Sequence, residues 1–266
     1  MNKTILLSND DGINSSGLNA LIGALDHFGN IFIVAPDREQ SACSHALSIH
    51  RPLRIDKIST NTYSVDGTPT DCINLAINGI LKDNKPDLIV SGINKGENLG
   101  DDISYSGTVS AAIEGTLLGI PSIAISLEGR NDYNYESSLH FSAIFAQYVL
   151  QNGLPRDILL NINIPKLSLQ EIKGIKITRQ GKRIYNDSIV EKVDPRGKKY
   201  YWIGGNELGS IEIENSDIDA LKKGYVSVTP IKLDLTDYNF INFLEKDFLK
   251  IKEHDEKTLR LGNSLG

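Results

Sequence analysis

The chain has 266 residues, 28 Lys plus Arg against 34 Asp plus Glu, a net charge of −6 and a sequence pI near 5.4. With 40% hydrophobic and 23% charged residues it has the composition of a folded globular chain, which excludes overall disorder. The acidity argues against a protein held on nucleic acid by a general basic surface, and no apolar run approaches the ~18 residues of a membrane span.

Thr4–Leu7 reads as a buried strand. The segment Ser15–Phe28 carries Leu18, Leu21, Ile22 and Leu25 at a helical spacing, and Ile31–Ala35 is a second strand stopped by Pro36. Pro69–Leu81 reads as a helix with Pro in its first turn, Asp87–Ser91 as a strand, and Thr108–Leu118 as a helix stopped by Gly119. Ile123–Leu127 is a strand, Ser137–Leu150 a long amphipathic helix and Ile158–Ile162 a further strand, closed by Pro165. Continuous apolar strands alternating with helices predict an α/β fold, a mostly parallel sheet covered on both faces.

From Lys166 to Tyr225 charged and aromatic residues interleave, with a strand at Lys199–Ile203 and turn signals at Gly204-Gly205. Tyr225–Leu235 reads as a returning strand, and the charged tail from Glu245 to Gly266 as helical. The expected organisation is a catalytic core over 1–165, a β-rich excursion over 166–235 that returns to the core, and a tail over 236–266.

In parallel sheets ligands gather where loops leave the carboxyl ends of the strands. Asn9-Asp10-Asp11-Gly12 follows the first strand. Asn, Asp and Gly form turns, but adjacent carboxylates also repel unless a cation lies beside them. Two more polar loops follow strands: Pro36–Ala42, with Ser41, and Gly92–Gly100, with Asn94. If these strands are neighbours, Asp10, Asp11, the Ser41 hydroxyl and the Asn94 amide oxygen make an all-oxygen set suited to Mg²⁺, Mn²⁺ or Ca²⁺. The alternative is that Ser41 and Asn94 only satisfy loop backbone. Ser106-Gly107-Thr108 runs into a helix, and helix N-termini attract anions. Plain N-capping would account for one of its hydroxyls.

Other features weigh less. The five histidines show no paired metal spacing; His45 lies in a polar loop, with structural bonding or an anion contact as its two readings. Asp101-Asp102 reads as a solvated loop, Arg179–Arg183 as a solvated basic face or a rim that attracts anions, and Cys43 and Cys72 as packing residues in a reduced, cytoplasmic protein. No Gly-x-Gly-x-x-Gly, phosphate-binding P-loop or Gly-x-Ser-x-Gly supports a dinucleotide dehydrogenase, ATPase or serine hydrolase.

Taken together, LLSNDDG at Leu6–Gly12, APDREQSA at Ala35–Ala42, SHALSIHRPL at Ser44–Leu53, DGTPTDC at Asp66–Cys72, SGINKGENLG at Ser91–Gly100 and YSGTVSAAIEG at Tyr105–Gly115 resemble the SurE family of stationary-phase survival proteins. RQGKRIYND at Arg179–Asp187, DPRGKKYYWIGG at Asp194–Gly205 and GYVSVTPIKLDLT at Gly224–Thr236 extend the resemblance to all but the last ~30 residues. The resemblance implies a three-layer Rossmann-like core and a metal-dependent 5′-nucleotidase, with 3′-nucleotides and short polyphosphate as further substrates. It implies one divalent cation, Mg²⁺ or Mn²⁺, on Asp10, Asp11, Ser41 and Asn94. Asp10, Asp11 and Asn94 would be catalytic, and Asn94, Ser106, Gly107 and Thr108 would bind phosphate. A nucleoside monophosphate partner, a cytoplasmic homodimer or homotetramer, and no nucleic-acid or membrane partner are expected. The family pattern has Gly after the metal-binding serine; this chain has Ala42. A non-catalytic, metal-dependent nucleotide sensor and a nucleotide-sugar transferase are the competing classes.

Overall fold

A computed structural model describes residues 3–129, 131–185, 189–203 and 209–262. Its contacts divide it into two compact units, Met1–Leu233 and Asp234–Gly266.

The first unit opens with β1 (Lys3–Ser8), α1 (Ser16–Leu25), β2 (Gly29–Pro36), β3 (Ile55–Lys57), β4 (Thr62–Val65) and α2 (Pro69–Leu75). It continues with β5 (Leu88–Lys95), α3 (Gly107–Leu117), β6 (Ser122–Leu127), α4 (Glu136–Asn152) and β7 (Ile158–Ile164). A later stretch holds β8 (Ile175–Ile177), β9 (Lys182–Ile184), β10 (Ile189–Val193), β11 (Lys199–Ile203), β12 (Gly209–Ile211), α5 (Asp217–Lys222) and β13 (Val226–Lys232).

One nine-stranded sheet runs β3-β4-β2-β1-β5-β6-β7-β13-β8. All neighbours are parallel from β4 through β7; β3 and β13 run antiparallel to β4 and β7. Side chains alternate across each strand. Ile5 and Leu7 therefore pack with Leu18 and Leu21 of α1 and Phe141 and Phe145 of α4, while Leu6 packs with Cys72 and Ile73 of α2 and Ala111 of α3. Helices thus cover both faces, the three-layer α/β/α arrangement.

Local chemistry sets the helix starts. Ser15 caps α1 through its side chain, and Thr68 and Asp71 form a capping box at α2 with Pro69 in the first turn. The helix expected over Pro69–Leu81 is α-helical to Leu75 and continues as a π-helical turn over Ala76–Ile80. The helix expected over Ser15–Phe28 ends at Leu25 and tightens into a 3-10 turn.

β5 runs four residues beyond the expected Ser91, with a register shift against β6 between Ser91 and Asn94. Asn94 therefore lies on the strand rather than in a loop. The Gly92–Ile93 peptide within it is cis.

The excursion is not all β. β8 joins the main sheet beside β13, α5 is helical, and the two ribbons β9/β12 and β10/β11 stand apart from that sheet. The Gly204-Gly205 turn signals, and Asn186 and Asp187 of the RQGKRIYND motif, lie outside the described residues.

The second unit is α6 (Tyr238–Gly262), which starts before the expected Glu245. Phe240, Phe243, Phe248 and Leu249 on it are exposed. No helix among the described residues is long and apolar enough to cross a membrane.

Candidate active site

The chain leaves β1 to form β2 on one side and returns to form β5 on the other, so β1 and β5 flank the point where strand order reverses. Crevices at such points hold ligands in parallel sheets. Asp10 and Asp11 follow β1, and Asn94 lies near the end of β5. The loop after β2 is drawn in by the Gln40 amide, which donates to the Asp10 carbonyl at 2.7 Å. The same loop is tied to the start of α3, where the Ser44 amide donates to the Tyr105 carbonyl at 3.1 Å. Asp10, Asp11, Ser41, Asn94 and Ser106 consequently line one cavity of about 540 Å³.

Gly107 and Thr108 stand behind that wall. A Cβ on Gly107 would come within 2.7 Å of the Asp10 Cβ and 2.9 Å of its Oδ2, so only glycine permits this approach of α3 to Asp10. Thr108 is fully buried, and its hydroxyl donates to Asp10 Oδ1. The hydroxyl expected to bind phosphate is engaged with a carboxylate. Ser106 is the N-cap of α3, its Oγ accepting from the Val109 amide at 3.1 Å.

The carboxylates are held against their preference for water. Burial pushes the Asp10 carboxyl above its ordinary range, against the lowering effect of the Thr108 bond. Asp11 is pushed up to about 6, first by burial and then by the charge of Asp10, while Lys95 acts the other way through its charge and its amide. Asp11 Oδ2 is buried with no hydrogen-bond partner. A buried, unpaired carboxylate oxygen beside a second buried carboxylate is a costly arrangement in the absence of a cation.

The neutral donors are oriented. Asn94 uses its Nδ2 on the Gly96 carbonyl at 2.8 Å, which leaves Oδ1 as its remaining polar atom. The Ser41 hydroxyl donates to Glu39 Oε1 at 2.7 Å and keeps its lone pairs for a ligand. Two carboxylates, a hydroxyl and an amide oxygen are the donors a hard divalent cation takes. Among the described residues no group of three or more His, Cys, Asp or Glu is arranged to hold a metal.

Ala42 has φ +55°, a left-handed conformation that glycine adopts more readily than alanine. His45 takes the structural role: its Nε2 lies 2.8 Å from Glu114 Oε2, and Asn74 Nδ2 donates to the other oxygen of Glu114 at 2.8 Å. Burial and the Asp10 charge push the Cys43 thiol up to about 11, so it stays protonated and inert.

Two expectations are overturned. Asp101 and Asp102 are not a solvated pair: Lys182 Nζ donates to Asp101 at 2.9 Å, and Arg183 Nε and the Tyr185 hydroxyl donate to Asp102 at 2.7 and 2.8 Å. Arg183 is likewise not on a solvated face; its side chain is 9% exposed and lines the cavity. Glu39, Lys95, Glu97 and Tyr105 also line it; they fall within the loops and motifs singled out in the sequence, where no role is read for them, and Tyr133, outside those motifs, lines it as well.

The family model described as survival protein SurE matches residues 5–187. The chain belongs to the SurE family. A protein of Geotalea daltonii named 5′-nucleotidase SurE is 54% identical, the match covering 91% of this chain and 98% of that one. A protein of Aquifex aeolicus with the same name is 50% identical over 91% of this chain and 97% of its own length. The crystal structure of the SurE protein from Aquifex aeolicus superposes with a TM-score of 0.81 at 50% identity, covering 91% of this chain and 99% of that chain. The SurE family assignment and the three-layer α/β fold thus agree with the reading of the motifs.

Proposed function

We propose that this chain is a divalent-metal-dependent 5′-nucleotidase, releasing phosphate from nucleoside 5′-monophosphates. The names of its relatives support the reaction, and the buried, unpartnered Oδ2 of Asp11 beside Asp10 supports the metal. Asp10, Asp11, Ser41 and Asn94 would hold Mg²⁺ or Mn²⁺. When bound, such a cation supplies Lewis-acid stabilisation of phosphoryl charge and a lowered pKa for bound water.

The chain's own groups do the rest. The N-terminus of α3 carries a partial positive charge next to the carboxylates, which would orient the phosphate of the substrate. Thr108 holds Asp10 in one orientation through its hydrogen bond. Lys95, exposed at the cavity, offsets part of the carboxylate charge that would repel an anionic substrate. The 3′-nucleotides and short polyphosphate are extensions of the same phosphoryl chemistry.

The test is phosphate release from AMP and GMP with Mn²⁺, with Mg²⁺ and with chelator. Release that chelator abolishes and metal restores is expected. Nucleotide binding without release would favour the sensor, and release undiminished in metal-free buffer would remove the metal.

The assembly proposed is a homodimer or homotetramer built through the β10/β11 ribbon. Tyr200, Tyr201 and Trp202 occupy successive positions on β11, so they point alternately to both faces, and all three are exposed, Trp202 at 62%. Exposed aromatics of this kind anchor interfaces. Two free cysteines, Cys43 and Cys72, are consistent with a cytoplasmic setting.

A further inference from the structure

The cavity has a second wall, opposite in character to the carboxylate cluster. It is made by the segment that joins Asn94 to Ser106, and that segment is gripped by residues some eighty positions later in the chain. Arg183 is the centre of the grip. Its Nε donates to Asp102 Oδ2 at 2.7 Å and its Nη2 lies 3.5 Å from Glu97 Oε1. Its own amide donates to Asp101 Oδ2 at 3.0 Å. Behind it the buried Asp217 carboxylate accepts from the Gly100 amide and from the Gly181 amide, both at 2.8 Å. Tyr185 bonds Asp102 and sets its ring edge-on to Tyr105 at 6.4 Å between centroids, with an interplanar angle of 88°. Tyr105 directly precedes the N-cap of α3 and is 57% exposed at the cavity.

Resting on the nucleotidase reading, we infer that this Arg183-held wall receives the nucleoside half of the substrate, with Arg183 as its positioning residue and the ring of Tyr105 as the surface for the base. Three features carry the inference. The phosphate end of a nucleotide is fixed at the carboxylate cluster and α3, so the nucleoside must extend along the remaining lining. That lining offers the ring of Tyr105, packed perpendicular to Tyr185 and 57% exposed, and an aromatic face is a surface on which any base can stack. It also offers the carboxylates of Glu97 and Asp102, acceptors for sugar hydroxyls, kept from repelling the ligand by the guanidinium between them. An exposure of only 9% for an arginine side chain in a cavity wall leaves little room for a purely solvent-facing role.

The test compares wild type with Arg183→Met, Arg183→Lys and Tyr105→Ala on AMP and on β-glycerophosphate, which has neither a nucleoside nor an aromatic ring. It also follows adenosine binding to the metal-free protein by saturation-transfer NMR. Tyr105 is exposed, so its substitution does not endanger the fold even if Arg183→Met does. For Arg183→Met and Tyr105→Ala the expected result is a fall of about 10-fold or more in kcat/KM on AMP, chiefly in KM, with β-glycerophosphate changed less than about 2-fold. Adenosine signals should vanish in both, and Arg183→Lys should lie between wild type and Arg183→Met. Equal losses on the two substrates, no loss on AMP, or unchanged adenosine binding would overturn the inference. A wild-type protein that bound adenosine yet released no phosphate from AMP would refute the nucleotidase reading alone.

Discussion

The hydroxyl of Thr108, in the first turn of α3, donates to Asp10 Oδ1 at the end of β1. The two residues are separated by 98 positions, and the bond ties the expected anion site to the expected metal ligand. A hydrogen bond to a charged group contributes roughly 1.5–3 kcal/mol. Thr108→Val keeps the shape and removes the donor, so it should weaken divalent-ion binding and lower turnover together. Thr108→Ser should keep most of both. Calorimetric metal titration alongside phosphate release checks this; metal affinity unchanged in the valine variant would mean that the bond does not orient Asp10.

Gly107→Ala sets a methyl group against Asp10 and 3.1 Å from Cys43 Sγ. Overpacking of this kind costs about 1–3 kcal/mol. The denaturation midpoint should fall, and activity should fall further than stability accounts for, because α3 and Asp10 must separate. A variant with wild-type turnover would show that the close approach is not needed.

Ala42 at φ +55° offers the reverse case. The left-handed conformation costs an alanine roughly 1–2 kcal/mol, and a glycine there loses about 0.4–1 kcal/mol through greater unfolded-state freedom. Ala42→Gly should therefore raise the urea midpoint slightly and leave activity intact. A lowered midpoint would indicate that other contacts of the loop set its shape.

The raised carboxyl of Asp11 gives the ligand-free protein a definite pH dependence. In the unfolded chain it ionises near its ordinary 3.8, and in the folded chain at about 6. Between those values the folded state keeps a proton that the unfolded state has lost, so this group's contribution to stability falls as pH rises through that window and is gone above it. A cation needs the ionised form and offsets the penalty. The Tm gain from saturating Mn²⁺ should be larger at about pH 7.5 than at about pH 5, with proton release on binding at the lower pH. Equal gains at both values would contradict it.

Much of this was legible in the residues because it rests on local pattern. The apolar run Thr4–Leu7, the helical spacing of Leu18, Leu21 and Leu25, and the polar loops after strands place Asp10, Asp11, Ser41 and Asn94 at strand ends. Parallel-sheet topology then brings them together. What escaped depends on pairing across long separations. Asp102 and Arg183 lie 81 positions apart, and each alone looks like a solvated charge. The bond that occupies Thr108 also joins distant residues, and nothing near Thr108 announces it. The register shift in β5, which sets Asn94 on a strand, follows from how β5 meets β6 and not from the Gly-Ile-Asn sequence itself.

The proposed cation on the buried Asp10 and the half-buried Asp11 stands or falls with Asp11→Asn. The substitution removes one of the two charges in the proposed set while preserving volume. Mn²⁺ titration and phosphate release from AMP should be measured on the same wild-type and variant preparations. The variant should bind Mn²⁺ far more weakly and release no measurable phosphate at metal concentrations that saturate wild type. Wild-type turnover with unaltered metal dependence in Asp11→Asn would contradict it.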